Sequence, residues 1–266
     1  MSVSWEESDG LPKCLVVPAR KQHTATVFFL HGLGGSATGV KPFLQDLIEH
    51  PELQHVRFVL PTAPIMSITG MNGWTMYSWF DCYSFDHATR KEDEEGQHKA
   101  ARWINDLIAR EVQELGIPSN RIVIGGLSQG GAVSILAAIT SERQLGGLYA
   151  LSTYVPCRHK VPEIATLQSR TLPILWCHGT ADKQVNYDTW KDLAKNLAEQ
   201  LAIPFREVPD SPNRLSRDEL VKAENGKIEM QWRTYEDLGH WFDEKELKDL
   251  AVWISVRLPE MNLTQE

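Results

Sequence analysis

The stretch Ile122-Val123-Ile124-Gly125-Gly126-Leu127-Ser128-Gln129-Gly130-Gly131 decides the fold of this chain. It opens with an apolar run typical of a buried strand, and the apolar segment 132–139 that follows predicts a buried helix. Between them, glycines flank Ser128 in a G-x-S-x-G pattern, as a sharp strand-to-helix turn requires. Such a turn exposes the Ser128 hydroxyl at the carboxyl edge of a sheet. The alternative is a glycine-rich turn that only packs a strand against a helix.

Short apolar runs alternate with longer helical patterns on both sides of this segment. This alternation predicts an α/β fold with a mostly parallel central sheet and helices on both faces, in a single domain spanning 1–266. A long stretch from 61 to about 90, rich in glycine, proline and aromatic residues, is expected to be an ordered loop. Strands are predicted at 26–30, 56–60, 121–124, 148–151, 174–177 and 230–235, and helices at about 92–115, 132–139, 187–201 and 244–258.

A serine hydroxyl needs a general base, and the base needs an orienting carboxylate. In a fold with this strand-to-helix turn, the partners follow in the order serine, aspartate, histidine, each beyond the end of a later strand. The predicted strand 174–177 leads to Asp182, and the predicted strand 230–235 leads to His240. We therefore predict a triad in which Ser128 is the nucleophile, His240 the base and Asp182 the orienting acid.

Other histidines and aspartates compete for these roles. His178 precedes the turn after its strand, where a structural hydrogen bond is expected, and His31 precedes the serine, in the wrong order for the base. Asp237 and Asp243 flank His240, so either is an alternative to Asp182 if the strand register differs.

The glycine-rich segment His31-Gly32-Leu33-Gly34-Gly35 follows an early predicted strand. Such a loop can turn a backbone N–H toward the nucleophile and supply one donor of an oxyanion hole. We predict the Leu33 amide as this donor and the Gln129 amide as the second, although a plain tight turn is the alternative for the loop. No Walker motif or G-x-G-x-x-G pattern follows, so a phosphate-binding loop is not expected.

Composition excludes several other classes of protein. The chain has 266 residues, of which 42% are hydrophobic, and its net charge of −8 argues against a protein that binds nucleic acid through phosphates. The first residues show no signal peptide and no run is long enough for a membrane span, so we expect a cytoplasmic protein without stable membrane insertion. The four cysteines form no CxxC pair, Cys177 is expected to be an inert buried thiol, and no metal or cofactor is predicted.

The combination of motifs resembles the acyl-protein thioesterase and carboxylesterase group of the α/β-hydrolase superfamily. The resemblance covers about residues 24 to 258 and rests on Leu30-His31-Gly32-Leu33-Gly34, Ser78-Trp79-Phe80-Asp81, Gly126-Leu127-Ser128-Gln129-Gly130, His178-Gly179-Thr180-Ala181-Asp182 and Gly239-His240. It implies hydrolysis of fatty-acyl thioesters or oxygen esters, including S-palmitoyl groups on proteins. It also implies the same triad and oxyanion hole.

Three further expectations concern the substrate. Aromatic and apolar residues of the 61–90 stretch, with Trp79 and Ile68 as candidates, would line a channel for an acyl chain, and packing on the core is the alternative. Trp241, directly after the predicted base, would narrow the acyl site. The polar stretch near 209–227 is expected to be a tolerated insertion, with a lid or an interaction surface as alternatives.

The sequence is also compatible with two other functions. The first is a carboxylesterase that acts on short-chain small-molecule esters, and the second is a non-catalytic protein that binds an apolar ligand. Either is compatible with a monomer or a homodimer.

Overall fold

The computed structural model describes residues 3–7, 9–86, 89–210 and 227–261. In these ranges nine strands form one sheet, and two more form a separate hairpin. In chain order the strands are β1 (Ser4–Glu6), β2 (Lys13–Val17), β3 (Ala25–Leu30), β4 (Val56–Thr62), β5 (Ile65–Ile68), β6 (Trp74–Tyr77), β7 (Ile122–Leu127), β8 (Gly147–Leu151), β9 (Ile174–Gly179), β10 (Phe205–Val208) and β11 (Met230–Tyr235).

The helices of the same ranges differ widely in length. The α-helices are α1 (Ala37–Val40), α2 (Gln45–Ile48), α3 (Glu94–Gln113), α4 (Gln129–Ile139), α5 (Val161–Ile164), α6 (Tyr187–Leu201) and α7 (Glu244–Arg257). Short 3₁₀ turns occupy Lys41–Leu44, Pro51–Leu53, Thr69–Met71, Ser119–Arg121, Arg158–Lys160 and Leu167–Thr171. Among the described residues, no helix combines the length and apolar character needed to span a bilayer.

The order of strands across the large sheet is β1-β2-β4-β3-β7-β8-β9-β11-β10. From β4 to β10 all neighbours run parallel, whereas β2 is antiparallel to both β1 and β4. The predicted fold class, an α/β-hydrolase fold with a mostly parallel sheet, is therefore confirmed.

Each face of the sheet carries its own hydrophobic core. Alternate residues of a strand point to opposite faces, so Ile124 of β7 enters one core and Val123 enters the other. The first core is covered by α3, α4 and α6, and the second core by α1, α2 and α7. Because both faces are buried, all six residues of β7 are buried, which explains its unbroken apolar run.

The sequence places the 61–90 and 209–227 stretches outside the predicted strands and helices. The 61–90 stretch, expected to be an ordered loop, contains the β5–β6 hairpin, so that part is paired strand rather than loop. The predicted insertion near 209–227 falls mainly on residues 211–226, which lie outside the described residues.

Parallel strands place their carboxyl ends at one edge of a sheet, where α/β proteins bind ligands. Ser128 follows β7, Asp182 lies beyond β9, and His240 lies beyond β11. The loop that contains Leu33 follows β3, the neighbour of β7. The topology thus gathers all the predicted chemistry at one edge.

Candidate active site

Ser128 occupies a strained turn between β7 and α4. Its φ of 52° and ψ of −120° lie in a region that residues with a side chain rarely adopt. The turn is also crowded, because a Cβ atom would lie 2.2 Å from the Leu30 carbonyl oxygen at Gly126 and 2.3 Å from it at Gly130. The two glycines of the G-x-S-x-G pattern therefore let the turn pack directly on the end of β3.

A continuous chain of hydrogen bonds joins the three predicted triad residues. The Nε2 atom of His240 lies 2.9 Å from the Ser128 hydroxyl oxygen, and its Nδ1 atom lies 2.8 Å from Oδ2 of Asp182. With the proton on Nδ1, the imidazole donates to the carboxylate and accepts from the hydroxyl. This arrangement allows His240 to withdraw the proton of Ser128.

The surroundings of Asp182 favour its ionised form. Burial alone would raise the pKa of this carboxyl group, which is only 3% exposed. Hydrogen bonds from His178, His240 and the Val185 amide outweigh that effect and lower the pKa below its ordinary value. The second oxygen, Oδ1, accepts from the amides of Gln184 and Val185 at 2.9 Å each. Asp182 is thus held in place as a buried anion beside the base.

His178 has a structural environment. Its Nδ1 atom accepts a weak hydrogen bond from the Trp176 indole at 3.4 Å, and Nε2 donates to the Val185 carbonyl at 2.8 Å. The ring is buried and stacks on Trp232 at a centroid distance of 5.4 Å. The structural hydrogen bond expected for His178 is present, and it supports the turn that contains Asp182.

The two competing aspartates lie elsewhere. Asp243 is the N-cap of α7, where its side chain accepts from the Glu246 amide at 2.8 Å. Asp237 adopts a φ of 58°, and its amide donates to the Thr180 hydroxyl at 3.0 Å. The Nδ1 atom of His240 pairs instead with Asp182.

The glycine-rich loop after β3 is anchored by the buried His31 ring. The Nδ1 atom donates to the Gly32 carbonyl at 2.7 Å, and Nε2 accepts from the Ala63 amide at 3.0 Å. Burial lowers the pKa of His31 to about 4, so the ring stays neutral near pH 7 and keeps these two roles. His31 therefore supports the loop, and both of its ring nitrogens are already hydrogen-bonded to backbone groups.

Leu33 and Gln129 are the two residues whose backbone amides are predicted to form an oxyanion hole. Both residues line the same cavity as the nucleophile. Within the described ranges, neither amide donates a hydrogen bond to another part of the chain. Gln129 is also the first residue of α4, so its N–H belongs to the positive end of a helix. Two such donors can stabilise a negative oxygen next to Ser128.

The side chain of Gln129 explains why two separated motifs occur together. Its Oε1 atom accepts from the Trp79 amide at 3.0 Å, and its Nε2 atom donates to the Phe80 carbonyl at 2.9 Å. Nε2 also lies 2.9 Å from the Ser78 hydroxyl oxygen. The residue after the nucleophile thus holds the Ser-Trp-Phe segment in place. This supporting role was missed at the sequence level, where only the co-occurrence of the two motifs hinted at it.

A cavity of about 550 Å³ opens above the serine. Its walls combine the reacting atoms of Ser128 and His240 with a mainly apolar surface. The apolar part includes Leu33, Val40, Met71, Met76, Phe85 and Trp241. The hairpin side therefore contributes two methionines, whose flexible side chains suit a substrate of variable shape.

Trp79 and Ile68, the two predicted substrate-binding residues, are not among the residues that line this cavity. They are 2% and 0% exposed and belong to the first core. The Trp79 indole N–H donates to the His31 carbonyl at 2.8 Å, and its ring lies 5.2 Å from the imidazole. The prediction of direct substrate contact was wrong for both, because packing on the core took these side chains inward.

The cysteines, and the acidic residues that the structure describes, form no thiolate or metal centre beside Ser128. All four cysteines are buried and unpaired, and burial raises the pKa of the Cys177 thiol well above its ordinary value. In the portion of the chain that the structure describes, no group of three histidine, cysteine, aspartate or glutamate residues is arranged to hold a metal ion.

Comparison with known proteins places these features in a family. The sequence profile of the phospholipase/carboxylesterase family matches residues 11–225. Acyl-protein thioesterase 1 of Mycosarcoma maydis is 36% identical over 256 residues, covering 93% of this chain and 98% of that protein. The enzyme of the same name from Yarrowia lipolytica is 32% identical over 244 residues, covering 92% of this chain and 96% of its own length.

Solved structures show the same fold. Arabidopsis thaliana SOBER1 superposes with a TM-score of 0.73 at 28% identity, covering 88% of this chain and 99% of its own. Zea mays acyl-protein thioesterase 2, at 24% identity and a TM-score of 0.67, covers 92% of this chain and 98% of its own and supports the fold alone. The chain belongs to the phospholipase/carboxylesterase family of α/β-hydrolases.

Proposed function

We propose that the protein hydrolyses fatty-acyl thioesters, including S-acyl groups on proteins, through an acyl-enzyme on Ser128. Membership of its family makes the chain a serine hydrolase of carboxylic esters or thioesters. The observation that carries the assignment to Ser128 is the hydrogen-bonded chain from its hydroxyl through His240 to Asp182. The relatives named acyl-protein thioesterase support the thioester substrate.

In the first half of the reaction, the Ser128 oxygen attacks the acyl carbonyl while His240 takes the hydroxyl proton. The carbonyl oxygen becomes an anion and is stabilised by the Leu33 and Gln129 amides. When the tetrahedral intermediate collapses, the bond to the leaving thiol or alcohol breaks. The protonated His240 then delivers its proton to that leaving atom, which leaves the acyl group on Ser128.

In the second half, water takes the place of the leaving group. His240 removes a proton from the water, whose oxygen attacks the acyl-enzyme carbonyl, and the same two amides receive the oxyanion. Collapse releases the carboxylic acid and returns the proton to Ser128. Asp182 remains an anion throughout, orienting the imidazole and stabilising its positive charge.

The apolar walls of the cavity support a substrate with a hydrocarbon acyl group. Contact between these apolar side chains and a hydrocarbon chain removes both from water. Each methylene group of the substrate buried in this way stabilises the complex by about 0.8 kcal/mol. Only the reacting centre needs polar contacts, and those lie together at Ser128, His240 and the two amides. The non-catalytic alternative is disfavoured, because a simple binding site has no need of an aligned triad.

A short-chain carboxylesterase remains the second candidate, and Trp241 is the observation that favours it. This residue lines the cavity directly after His240, and its ring meets the edge of Phe43 at a centroid distance of 5.5 Å. Both rings are about half exposed. An aromatic pair at this point narrows the opening beside His240, where the leaving group lies, and so favours the small alcohol of a small-molecule ester over the thiol of a protein.

A series of matched oxygen esters and thioesters, from about two to sixteen acyl carbons, separates the two candidates. The thioesterase proposal expects kcat/KM to rise toward long thioesters, with Ser128→Ala as an inactive blank. A maximum at short oxygen esters would replace it with the carboxylesterase. Retained turnover in Ser128→Ala would overturn both.

Four coarser features complete the proposal. The enzyme is proposed to act in the cytoplasm as a single-domain protein, as a monomer or a homodimer. It is proposed to need no metal or organic cofactor, because the triad and the two amides supply each proton transfer and each charge stabilisation.

A further inference from the structure

The catalytic cavity has two sides that belong to the two cores of the molecule. On one side its walls come from the second core and its helices, with Val40 of α1 and Trp241, whose ring stacks on Phe242 at 4.8 Å. On the other side they come from the first core, with Cys82 and Tyr154. Ser128 stands between the two sides, at the end of β7.

The mechanism assigns a different part of the substrate to each side. The leaving atom has to reach Nε2 of His240 to receive its proton, so the leaving group lies toward His240 and Trp241. The acyl chain departs from the carbonyl carbon in the opposite direction. It therefore extends along the first-core side, toward Cys82 and Tyr154.

A guanidinium group lies behind the residues that line that side of the cavity. Arg90 donates through Nη2 to the Tyr154 hydroxyl at 2.9 Å and through Nη1 to the Ser84 carbonyl at 3.0 Å. Nη1 also lies 3.4 Å from the Cys82 sulfur, and the guanidinium carbon lies 4.9 Å from the centre of the Tyr154 ring. These contacts fix Arg90 directly behind two residues that line the acyl side.

The same arginine lines a second cavity. It measures about 530 Å³ and is lined by Arg90 together with Tyr83 and a run of acidic residues that includes Glu92. Arg90 thus stands between an apolar cavity and a polar one. A hydrocarbon chain that reached it would meet a charged group that is already hydrogen-bonded and costly to displace.

We infer that Arg90, held by Tyr154, closes the acyl end of the catalytic cavity and sets the longest acyl chain that the enzyme accepts. This inference rests on the proposed function and adds a specificity-determining residue to it. Arg90 has no part in bond breaking, so its removal should change which chain lengths are used without lowering the turnover of short ones.

The test compares wild type with Arg90→Ala in kcat/KM across the acyl series. The expected result is a gain of at least about tenfold in the ratio of the longest to the shortest acyl chain, the discrimination that a closed apolar pocket achieves for small differences in size. Tyr154→Phe, which retains the ring and loses the hydroxyl that holds Arg90, should shift the same ratio in the same direction by less. If Arg90→Ala fails to fold, the ratio measured for Tyr154→Phe tests the inference in its place.

Lys91→Ala is the matched control, since Lys91 is the next residue, lines the polar cavity and lies over the Tyr83 ring at 5.7 Å. Its profile should equal that of wild type. A uniform fall at all chain lengths in Arg90→Ala, or an unchanged ratio, would overturn the inference. Labelling rates with alkyl fluorophosphonates of increasing length give a second profile, so the inference is tested even if wild type hydrolyses no acyl ester and the proposed function fails.

Discussion

At the scale of single residues, the imidazole of His240 has two neighbours and needs both. In the proposed mechanism, Ser128 supplies the proton that the imidazole takes, and Asp182 fixes the tautomer of the ring. The buried carboxylate also stabilises the positive charge that appears on the ring during each acyl transfer. Substitutions at this pair therefore test the roles separately from the fold.

Asp182→Asn should lower kcat by about 10⁴-fold, because a neutral amide neither enforces the tautomer nor stabilises the imidazolium. Asp243→Asn is the matched control, since asparagine caps a helix as well as aspartate does. Steady-state rates on one good ester measure both. Equal losses in the two variants, or a larger loss at Asp243, would remove Asp182 from the role.

His31 should make the stability of the fold depend on pH. Its pKa is lowered from 6.5 to about 4 in the folded state, so between these values the unfolded chain binds a proton that the folded one does not. Stability should therefore fall as pH drops from 6.5 to about 4, by roughly 3 kcal/mol for this residue.

Denaturant unfolding of wild type and His31→Gln at both ends of this window isolates the contribution. The difference in free energy of unfolding between wild type and His31→Gln should be smaller by roughly 3 kcal/mol at pH 4 than at pH 6.5. Other histidines with lowered pKa values, such as His23, are present in both proteins and cancel in the difference. A difference that stays constant with pH would contradict the account of His31.

Ser128, Asp182 and His240, which the hydrogen bonds bring together, could be predicted from sequence because each lies beyond the end of a strand that the sequence indicated. The residues that line the cavity could not be predicted, since the direction of each side chain depends on contacts with residues that are distant in sequence. Trp79 shows the reason: its indole N–H meets the His31 carbonyl, 48 positions away, and this contact takes the ring into the core. Arg90 belongs to no sequence motif, and only the structure shows its position between two cavities.

At the scale of elements, the turn from β7 to α4 is held by close backbone contacts. The Leu30 carbonyl of β3 approaches both glycines of the turn, so the position of the nucleophile depends on the neighbouring strand as well as on its own. The adjacent helix is buried along its whole length, which leaves it no room to shift. The strained backbone of Ser128 is maintained by these surroundings.

Gly130→Ala should lower the free energy of unfolding by about 3 kcal/mol or more, or prevent folding, because the added Cβ would lie 2.3 Å from the Leu30 carbonyl oxygen. Gly239→Ala is the matched control, since no atom lies within 4 Å of a Cβ at that position. Urea unfolding followed by circular dichroism measures both. Similar stability in the two variants would show that the turn is looser than described.

Sequence failed to indicate the β5–β6 hairpin, the edge strands β1 and β10, and strand β2, which lies between β1 and β4. The β5–β6 hairpin exposes much of its surface, with Ile65 63% and Trp74 70% exposed, so its pattern lacks the alternation of a half-buried strand. Strands β1 and β10 are the two edges of the sheet and are short. The central strands, buried on both faces, were found because their apolar runs are continuous.

At the scale of the whole molecule, one sheet serves both cores. Each central strand sends alternate side chains into the two layers, so loss of one layer would expose the other. The prediction of a single domain is consistent with this coupling. It leads to a test that needs no substitution.

Unfolding should be a single cooperative transition. Tryptophans report on both cores, with Trp176, Trp190 and Trp232 in the first and Trp253 in the second. Denaturation curves from tryptophan fluorescence and from far-ultraviolet circular dichroism should therefore share one midpoint. Two separated transitions would show that the layers unfold independently and that the chain is not one domain in the sense proposed.

The reaction is proposed to pass through an acyl group on Ser128, and this intermediate can be trapped by rapid acid quenching of the enzyme with a long-chain thioester. Mass spectrometry of the digested protein should show one added acyl group on the peptide that contains Ser128. Neither this adduct nor turnover should appear in Ser128→Ala. Turnover without an adduct on that peptide, or an adduct on another residue in the active enzyme, would contradict the account.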